Sequence, residues 1–156
     1  MRLHLNLAMA GMLIGSLTPA FAQSGTLSAK DQQRFTEAAK SWETAYNKKD
    51  AAGVAALYAE DGTAIAPAGV FQGRAALQKW IEADLQAGGH DLSVSVTRVH
   101  ALGNAFWRFG DWSAHYGDQT LHGHWSDIVI QVGDAMKVQQ STINLALPET
   151  GSVPVK

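Results

Sequence analysis

Apolar residues recur every three or four positions in the segment that starts near residue 28, which is the spacing of one face of an α-helix. Ser28, with Asp31 three residues later, has the pattern of a helix N-cap. The sequence therefore predicts a first helix with a wide buried stripe. That stripe comprises Phe35, Ala38, Ala39, Trp42, Ala45 and Tyr46.

Two further helices and a short strand are expected before residue 90. Asp50 has the position of a cap for a short second helix, and Asp61-Gly62 is expected to end that helix as a turn. Residues 63–67 are predicted to form a strand. A third helix is predicted between Gly73 and Gly88-Gly89. The inward residues are Val54, Leu57 and Tyr58 on the second helix and Leu77, Trp80, Ile81 and Leu85 on the third.

After residue 90 the apolar period changes from helical spacing to two, which is typical of strands. Residues 92–101 are predicted to form one strand with a bulge near Arg98, because the apolar parity changes there. Three longer strands should follow, at residues 105–116, 119–132 and 135–147, with Gly117-Asp118 and Gly133-Asp134 as hairpin turns. The predicted fold class is α+β, a cone-shaped fold of three N-terminal helices packed on a strongly curved antiparallel β-sheet.

A two-residue turn at Gly117-Asp118 would set the register of the long hairpin. In that register Arg108 lies opposite Asp127 and Asp111 lies opposite His124. The residues then separate by parity onto two faces. One face carries Phe106, Arg108, Trp112, Ala114, Leu121, Trp125, Asp127 and Val129, and the other carries Trp107, Phe109, Asp111, Ser113, His115, His122, His124, Ser126 and Ile128.

The segment from Trp42 to Leu77 resembles the nuclear transport factor 2-like superfamily, and in particular its SnoaL-like members. The matching positions are Trp42, Ala45, Tyr46, Asn47, Asp50, Ala56, Leu57, Tyr58, Asp61, Gly73, Arg74, Ala76 and Leu77. The resemblance implies a cone with a ligand-sized hollow, and a homodimer formed through the outer face of the sheet. It does not choose an activity, because the superfamily includes isomerases, cyclases, dehydratases, ring-hydroxylase small subunits and non-enzymatic carriers.

Ketosteroid isomerases, which belong to the same superfamily, give a more specific comparison. Asp127 matches the position of their oxyanion-hole aspartate, a carboxylic acid that an apolar site keeps neutral in those enzymes. Their general-base aspartate falls here on Ala66, and their oxyanion tyrosine falls on Trp42. Since an alanine cannot abstract a proton, the comparison argues against steroid isomerisation.

The leading hypothesis is a protein that binds a small apolar or aromatic molecule in an aromatic-lined pocket, with no cofactor. The alternative is a cofactor-independent isomerase, lyase or cyclase in which Asp127 acts as acid and base. Arg108 and Asp127 would either stabilise the sheet as a buried pair or orient the ligand. The candidate ligand-binding residues are Trp42, Tyr46, Tyr58, Phe71, Trp80, Phe106, Arg108, Trp112, Trp125 and Asn144.

The pattern His122-Gly123-His124 places two imidazoles on one face of a strand, and the expected register adds Asp111 opposite His124. Two histidines and a carboxylate could hold a transition metal. The pattern is short, however, and co-facing histidines are frequent on amphipathic strands, so no metal site is the favoured interpretation. These histidines would otherwise lie at a dimer contact that responds to pH.

The N-terminus has the pattern of a secretory signal peptide, with Arg2, an apolar run over residues 3–17 and the site Ala20-Phe21-Ala22. We therefore expect a leader at 1–22, a flexible start at 23–27, the cone domain at 28–147 and a flexible tail at 148–156. The mature protein would be periplasmic or secreted and outside the membrane.

Charge and cysteine content exclude two further classes. Loss of Arg2 with the leader would leave 11 basic side chains, from 12 in the whole chain, against 14 acidic ones. The chain has no basic cluster that could neutralise several phosphates, so a nucleic-acid partner is not expected. The chain contains no cysteine, which excludes disulfides and a cysteine nucleophile.

Overall fold

The computed structural model describes residues 27–146, which form three helices and seven strands in the order two helices, two strands, one helix and five strands. The helices are α1 (Ala29–Asn47), α2 (Ala51–Ala56) and α3 (Arg74–Gln86). The strands are β1 (Tyr58–Ala66), β2 (Gly69–Gln72), β3 (Gly89–Val94), β4 (Arg98–Leu102), β5 (Ala105–Tyr116), β6 (Gln119–Val132) and β7 (Ala135–Ile143).

All seven strands belong to one sheet, in the order β2-β1-β7-β6-β5-β3, with β4 also paired to β5. Neighbouring strands are antiparallel except β1 and β7, which are parallel. The helices cover one face of this curved, open sheet. The predicted α+β cone is therefore confirmed, and the covered face is the place where a cavity can form.

The predicted register of the β5–β6 hairpin is confirmed along its whole length. Tyr116 pairs with Gln119, Asp111 with His124, and Arg108 with Asp127. The turn residue Gly117 has a φ of +58°, a conformation that glycine adopts without strain. Because the turn has two residues, every inward side chain of β5 is matched by an inward side chain of β6.

Both predicted N-caps are present. The Ser28 hydroxyl accepts a hydrogen bond from the Asp31 amide at 3.1 Å, and the Asp50 carboxylate accepts one from the Gly53 amide at 2.8 Å. These bonds satisfy amide groups that have no partner within the first turn of a helix. Phe35, Ala39 and Tyr46 of α1 are buried, as its apolar spacing predicted.

The prediction of a turn at Asp61-Gly62 was wrong. α2 ends at Ala56, and both residues lie inside β1, which begins at Tyr58 rather than at Thr63. The pairing of β1 with β7 changes register between Tyr58 and Thr63, so the strand is irregular there. A Cβ on Gly62 would lie 3.0 Å from the Val138 carbonyl oxygen, which shows why this irregular stretch has a glycine. The short edge strand β2 was not predicted.

The single bulged strand expected over residues 92–101 is instead two strands, β3 and β4. The chain leaves the regular ladder at residues 95–97, where the Ser95 and Thr97 amides still donate to the Asp111 and Phe109 carbonyl oxygens of β5, at 2.9 and 2.8 Å. A Cβ on Gly110 would lie 1.8 Å from the Ser95 carbonyl oxygen. The absence of a side chain at position 110 therefore allows the two backbones to approach.

The final strand is shorter than predicted, because β7 ends at Ile143. The next residues still follow β6, since the Asn144 amide donates to the His124 carbonyl oxygen and the Ala146 amide to that of His122, at 3.0 and 2.9 Å. The predicted leader and tail lie outside the described residues. Within residues 27–146, no helix is long and apolar enough to cross a membrane.

Candidate functional site

A cavity of about 260 Å³ lies between the helices and the concave face of the sheet. Helices α1 and α3 and strands β1, β3, β5, β6 and β7 all contribute to its wall. The residues that line it are Ala39, Trp42, Tyr46, Tyr58, Ala66, Pro67, Ala68, Trp80, Ile81, Asp84, Leu92, Val94, Arg108, Trp112, Ala114, Tyr116, Leu121, Trp125, Asp127, Val138, Ser141, Ile143 and Leu145.

Four of the five tryptophans line this cavity, and contacts with their neighbours restrain them. Trp42 stacks on Tyr46 with ring centroids 5.5 Å apart. The Trp112 indole donates to the Asn144 backbone carbonyl oxygen at 2.9 Å. The Trp125 indole donates to the Asp111 backbone carbonyl oxygen at 3.2 Å. Trp80 is the fourth. Large rings held in this way form a pre-shaped apolar wall.

Arg108 and Asp127 form a buried ion pair on the inner face of the hairpin. Arg108 Nε and Nη2 donate to the two carboxylate oxygens of Asp127 at 2.7 and 2.9 Å, and both side chains are at most 6% exposed. Arg108 Nη1 donates to the Phe35 carbonyl oxygen at 2.7 Å, which ties α1 to the sheet. Burial raises the pKa of Asp127, whereas the Arg108 hydrogen bonds and charge act in the opposite direction.

The same row of the sheet continues from Asp127 to Ser141 on β7. The Ser141 hydroxyl lies 2.8 Å from the Tyr58 hydroxyl, so another buried polar pair lies beside the Arg108–Asp127 pair at this end of the cavity. Burial raises the pKa of Tyr58 to about 12. The phenol is therefore neutral at physiological pH and can take part as a hydrogen-bond donor.

A second polar group, formed by Tyr46, Asp84 and Tyr116, lies eight residues from Arg108 along β5. The Tyr46 and Tyr116 hydroxyls both donate to the Asp84 carboxylate, and the Tyr116 bonds measure 2.8 and 2.9 Å. Gly89 makes room for this group, because a Cβ there would lie 2.0 Å from the Tyr46 hydroxyl oxygen. Burial raises the pKa of Tyr116 to about 12, and Asp84 acts in the same direction.

Sequence reasoning missed Asp84 and Tyr116. Asp84 follows Trp80 by four residues, and Tyr116 has the same strand parity as Trp112, so spacing places each of them on the inward face of its own element but does not show that they meet. Asp84 is easily overlooked because a carboxylate on a helix is usually solvent-exposed, and Tyr116 because it adjoins a turn.

Three of the predicted ligand-binding residues lie outside the cavity wall. Phe71 stacks on Trp80 with ring centroids 5.1 Å apart, and Phe106 packs against Phe35 at 4.6 Å. Asn144 accepts a hydrogen bond from the His124 amide at 2.9 Å through its side-chain oxygen. These residues support the wall or the sheet. The other seven predicted residues, Trp42, Tyr46, Tyr58, Trp80, Arg108, Trp112 and Trp125, line the cavity, as does Asp127.

His122 and His124 lie on the opposite, outer face of the sheet. His124 Nδ1 lies 2.7 Å from Asp111 Oδ1, and both side chains are mostly exposed. His122 pairs in register with Ser113 rather than with a second acidic residue. In the described part of the chain, no group of three or more histidine, cysteine or acidic side chains is arranged to hold a metal ion.

Solved structures of other proteins have a similar fold. The chain is similar to a nuclear transport factor 2-like superfamily protein from Salmonella enterica, with a TM-score of 0.66 and 16% identity over 80% of this chain and 96% of that one. It is also similar to a ketosteroid isomerase-like protein from Erwinia carotovora atroseptica, with a TM-score of 0.63 and 14% identity over 72% and 93% of the two chains. At these identities the likeness shows the fold alone.

A third similar structure is a protein of unknown function with a cystatin-like fold from Nostoc punctiforme, with a TM-score of 0.65 and 16% identity over 77% and 94% of the two chains. The model of the SnoaL-like domain family matches residues 39–140. The chain therefore belongs to the SnoaL-like domain family, and its fold is similar to that of nuclear transport factor 2-like structures. No curated protein matches it.

Proposed function

We propose that this protein binds a small, largely apolar or aromatic molecule in the cavity between its helices and sheet. The observation that carries the proposal is the wall itself, in which four indole rings surround a hollow of about 260 Å³ with two separate polar groups. Ligand pockets commonly combine a mostly apolar wall with a few placed polar groups. A region that served only as hydrophobic core would be closely packed and would not contain such a hollow.

The geometry favours binding over proton transfer by Asp127. Both carboxylate oxygens accept hydrogen bonds from Arg108, so Asp127 would have to break a buried ion pair before it could take a proton from a ligand. Ala66, at the position of the general base in ketosteroid isomerases, lines the cavity with a methyl group. A second candidate function as an acid–base enzyme therefore lacks a free base at this end of the cavity.

A cavity-filling variant tests the proposal directly. Wild-type protein should bind 2-phenylethanol or a similar neutral aromatic probe in a calorimetric or NMR titration. Ala66→Trp, which adds an indole inside the cavity, should weaken that binding at least about tenfold, because the added ring occupies the space of the ligand. Ile65→Trp is the matched control, since Ile65 directly precedes Ala66 in β1 and is 40% exposed. It should bind the probe as the wild type does.

Two results would overturn the proposal. One is wild-type protein that binds no probe from a panel of neutral aromatic and alicyclic molecules. The other is an Ala66→Trp variant that folds and binds as tightly as the wild type, which would place any binding site elsewhere. Native mass spectrometry of protein purified from its own cells would identify a molecule that remains bound through purification.

We also propose a homodimer formed through the outer face of the sheet. That face carries a row of packed rings, in which Trp107 stacks on His100 at 5.3 Å and contacts Phe109 at 4.9 Å. Trp107 is a large hydrophobic side chain, and it is 37% exposed. An exposed apolar patch with a polar surround is typical of a protein contact.

A further inference from the structure

The wall of the cavity carries an uncompensated negative charge. Among the described residues that line it, the only formally charged side chains are Asp84, Arg108 and Asp127. Arg108 and Asp127 neutralise each other in their ion pair. Asp84 forms no ion pair with a basic side chain within residues 27–146, so its charge remains.

The hydrogen bonds around Asp84 are those of a carboxylate. Tyr46 and Tyr116 donate to it, and both of its oxygens act as acceptors. Two neutral phenols orient the group and stabilise its charge only in part, because each supplies a dipole rather than an opposite charge. The carboxylate is thus positioned beside the hollow with one full charge to offer to a ligand.

Aromatic side chains adjoin Asp84 in the cavity wall. Trp80 precedes Asp84 by one helical turn on α3. Trp42 stacks on Tyr46, with the two ring centroids 5.5 Å apart. All of these side chains line the cavity. Aromatic faces attract cations through their ring quadrupoles, and most strongly when water is excluded. A carboxylate among aromatic rings is suited to an ammonium group.

We propose that the ligand of this cavity is an amine: an apolar or aromatic body lies between the indole rings, and a protonated or quaternary ammonium group contacts Asp84. This inference rests on the proposed ligand-binding function and names its chemical class. A neutral ligand would leave the Asp84 charge without a partner, and an anionic ligand would be repelled by it. The buried pair at Arg108 cannot attract an anion, because its guanidinium already contacts Asp127 and the Phe35 carbonyl oxygen.

Three probes with the same aromatic body separate these cases: 2-phenylethylamine, 2-phenylethanol and 3-phenylpropionate. At neutral pH they carry a positive, no and a negative charge. Calorimetric titration of the wild-type protein should show the amine binding about tenfold or more tightly than the alcohol, and the acid binding most weakly. Asp84→Asn, which is close in shape, should reduce the preference for the amine over the alcohol to about threefold or less.

Glu82→Gln is the matched control, because it removes one negative charge from an exposed position on the same helix. It should keep the wild-type order of affinities. Equal affinity of wild-type protein for the amine and the alcohol would overturn the inference and leave the proposed function standing. Failure of all three probes to bind would count against both. If Asp84→Asn does not fold, the comparison of probes on wild-type protein still decides.

Discussion

Asp127 engages both of its carboxylate oxygens with Arg108, at 2.7 and 2.9 Å, in a place where neither side chain is more than 6% exposed. The pair sits between β5 and β6, and the third hydrogen bond of Arg108 reaches the Phe35 carbonyl oxygen on α1. It therefore joins the first helix to the centre of the sheet. This position makes the pair a support for the cavity as well as part of its wall.

Asp127→Asn should destabilise the protein strongly. The variant leaves the Arg108 charge buried without its counter-charge, and such a loss typically costs roughly 3–5 kcal/mol. Urea unfolding followed by tryptophan fluorescence measures the change in the free energy of unfolding. The control is the double variant Arg108→Met, Asp127→Leu, which removes both charges and should lose less than the single variant. A single variant as stable as the wild type would show that the pair is not a structural one.

The three tyrosines should resist ionisation in the folded protein. Burial raises the pKa of Tyr58 and Tyr116 to about 12, and burial with the Asp84 hydrogen bond raises the pKa of Tyr46 further. These are all the tyrosines of the chain, so the tyrosinate absorbance reports only on them. In native protein the tyrosinate absorbance should increase only at pH values well above 10. In protein unfolded by guanidinium it should increase near pH 10.

Stability should consequently fall as the pH rises from about 10 to about 12, since the unfolded state loses phenol protons that the folded state keeps. Tyr116→Phe removes one of the three phenol groups that make the folded state bind more protons than the unfolded state in this pH range. The free energy of unfolding of that variant should decline less steeply with pH than that of the wild type over the same interval. A native titration midpoint near pH 10 for all three groups would contradict the buried cluster.

Gly110→Ala should disturb the junction between β3 and β4. The new methyl group would lie 1.8 Å from the Ser95 carbonyl oxygen, so one of two backbones must move. Overpacking of this kind costs roughly 1–3 kcal/mol, and the Ser95 amide, which donates to Asp111, should exchange its hydrogen faster. Gly103→Asn is the control, because nothing lies within 4 Å of position 103 and asparagine tolerates its φ of +65°. Similar losses in both variants would contradict the close approach.

The hairpin shows what sequence alone can determine here. A two-residue turn and a strict period of two were enough to place Arg108 opposite Asp127 and to sort the hairpin residues onto two faces. The family resemblance was needed to choose which face looks inward. The prediction failed where tertiary packing decides. Asp61 and Gly62 have the composition of a turn, but they lie in β1, in the irregular stretch where its pairing with β7 changes register. β2 is only four residues long and leaves no periodic signal.

The polar group at Asp84 was inaccessible for a different reason. Tyr46, Asp84 and Tyr116 come from three elements far apart in sequence, and their meeting depends on the curvature of the sheet and on the space left by Gly89. Local patterns place each residue on a face but do not measure how far a strand bends. Seven of the ten predicted ligand-binding residues line the cavity. Strand parity placed Arg108, Trp112 and Trp125, and helical spacing with the family resemblance placed the other four. Phe71, Phe106 and Asn144 required the packing to be known.

Trp107→Lys should convert a dimer of this protein into a monomer. Trp107 lies on the outer face between His100 and Phe109, so the substitution replaces an apolar ring at the proposed contact with a charge that the contact would have to bury. Sedimentation at several concentrations measures the mass, since dimerisation depends on concentration. Gln33→Lys, on the exposed face of α1, adds the same charge away from the sheet and should remain dimeric. A wild-type protein that is monomeric at every concentration would exclude this contact and leave the cavity proposal unaffected.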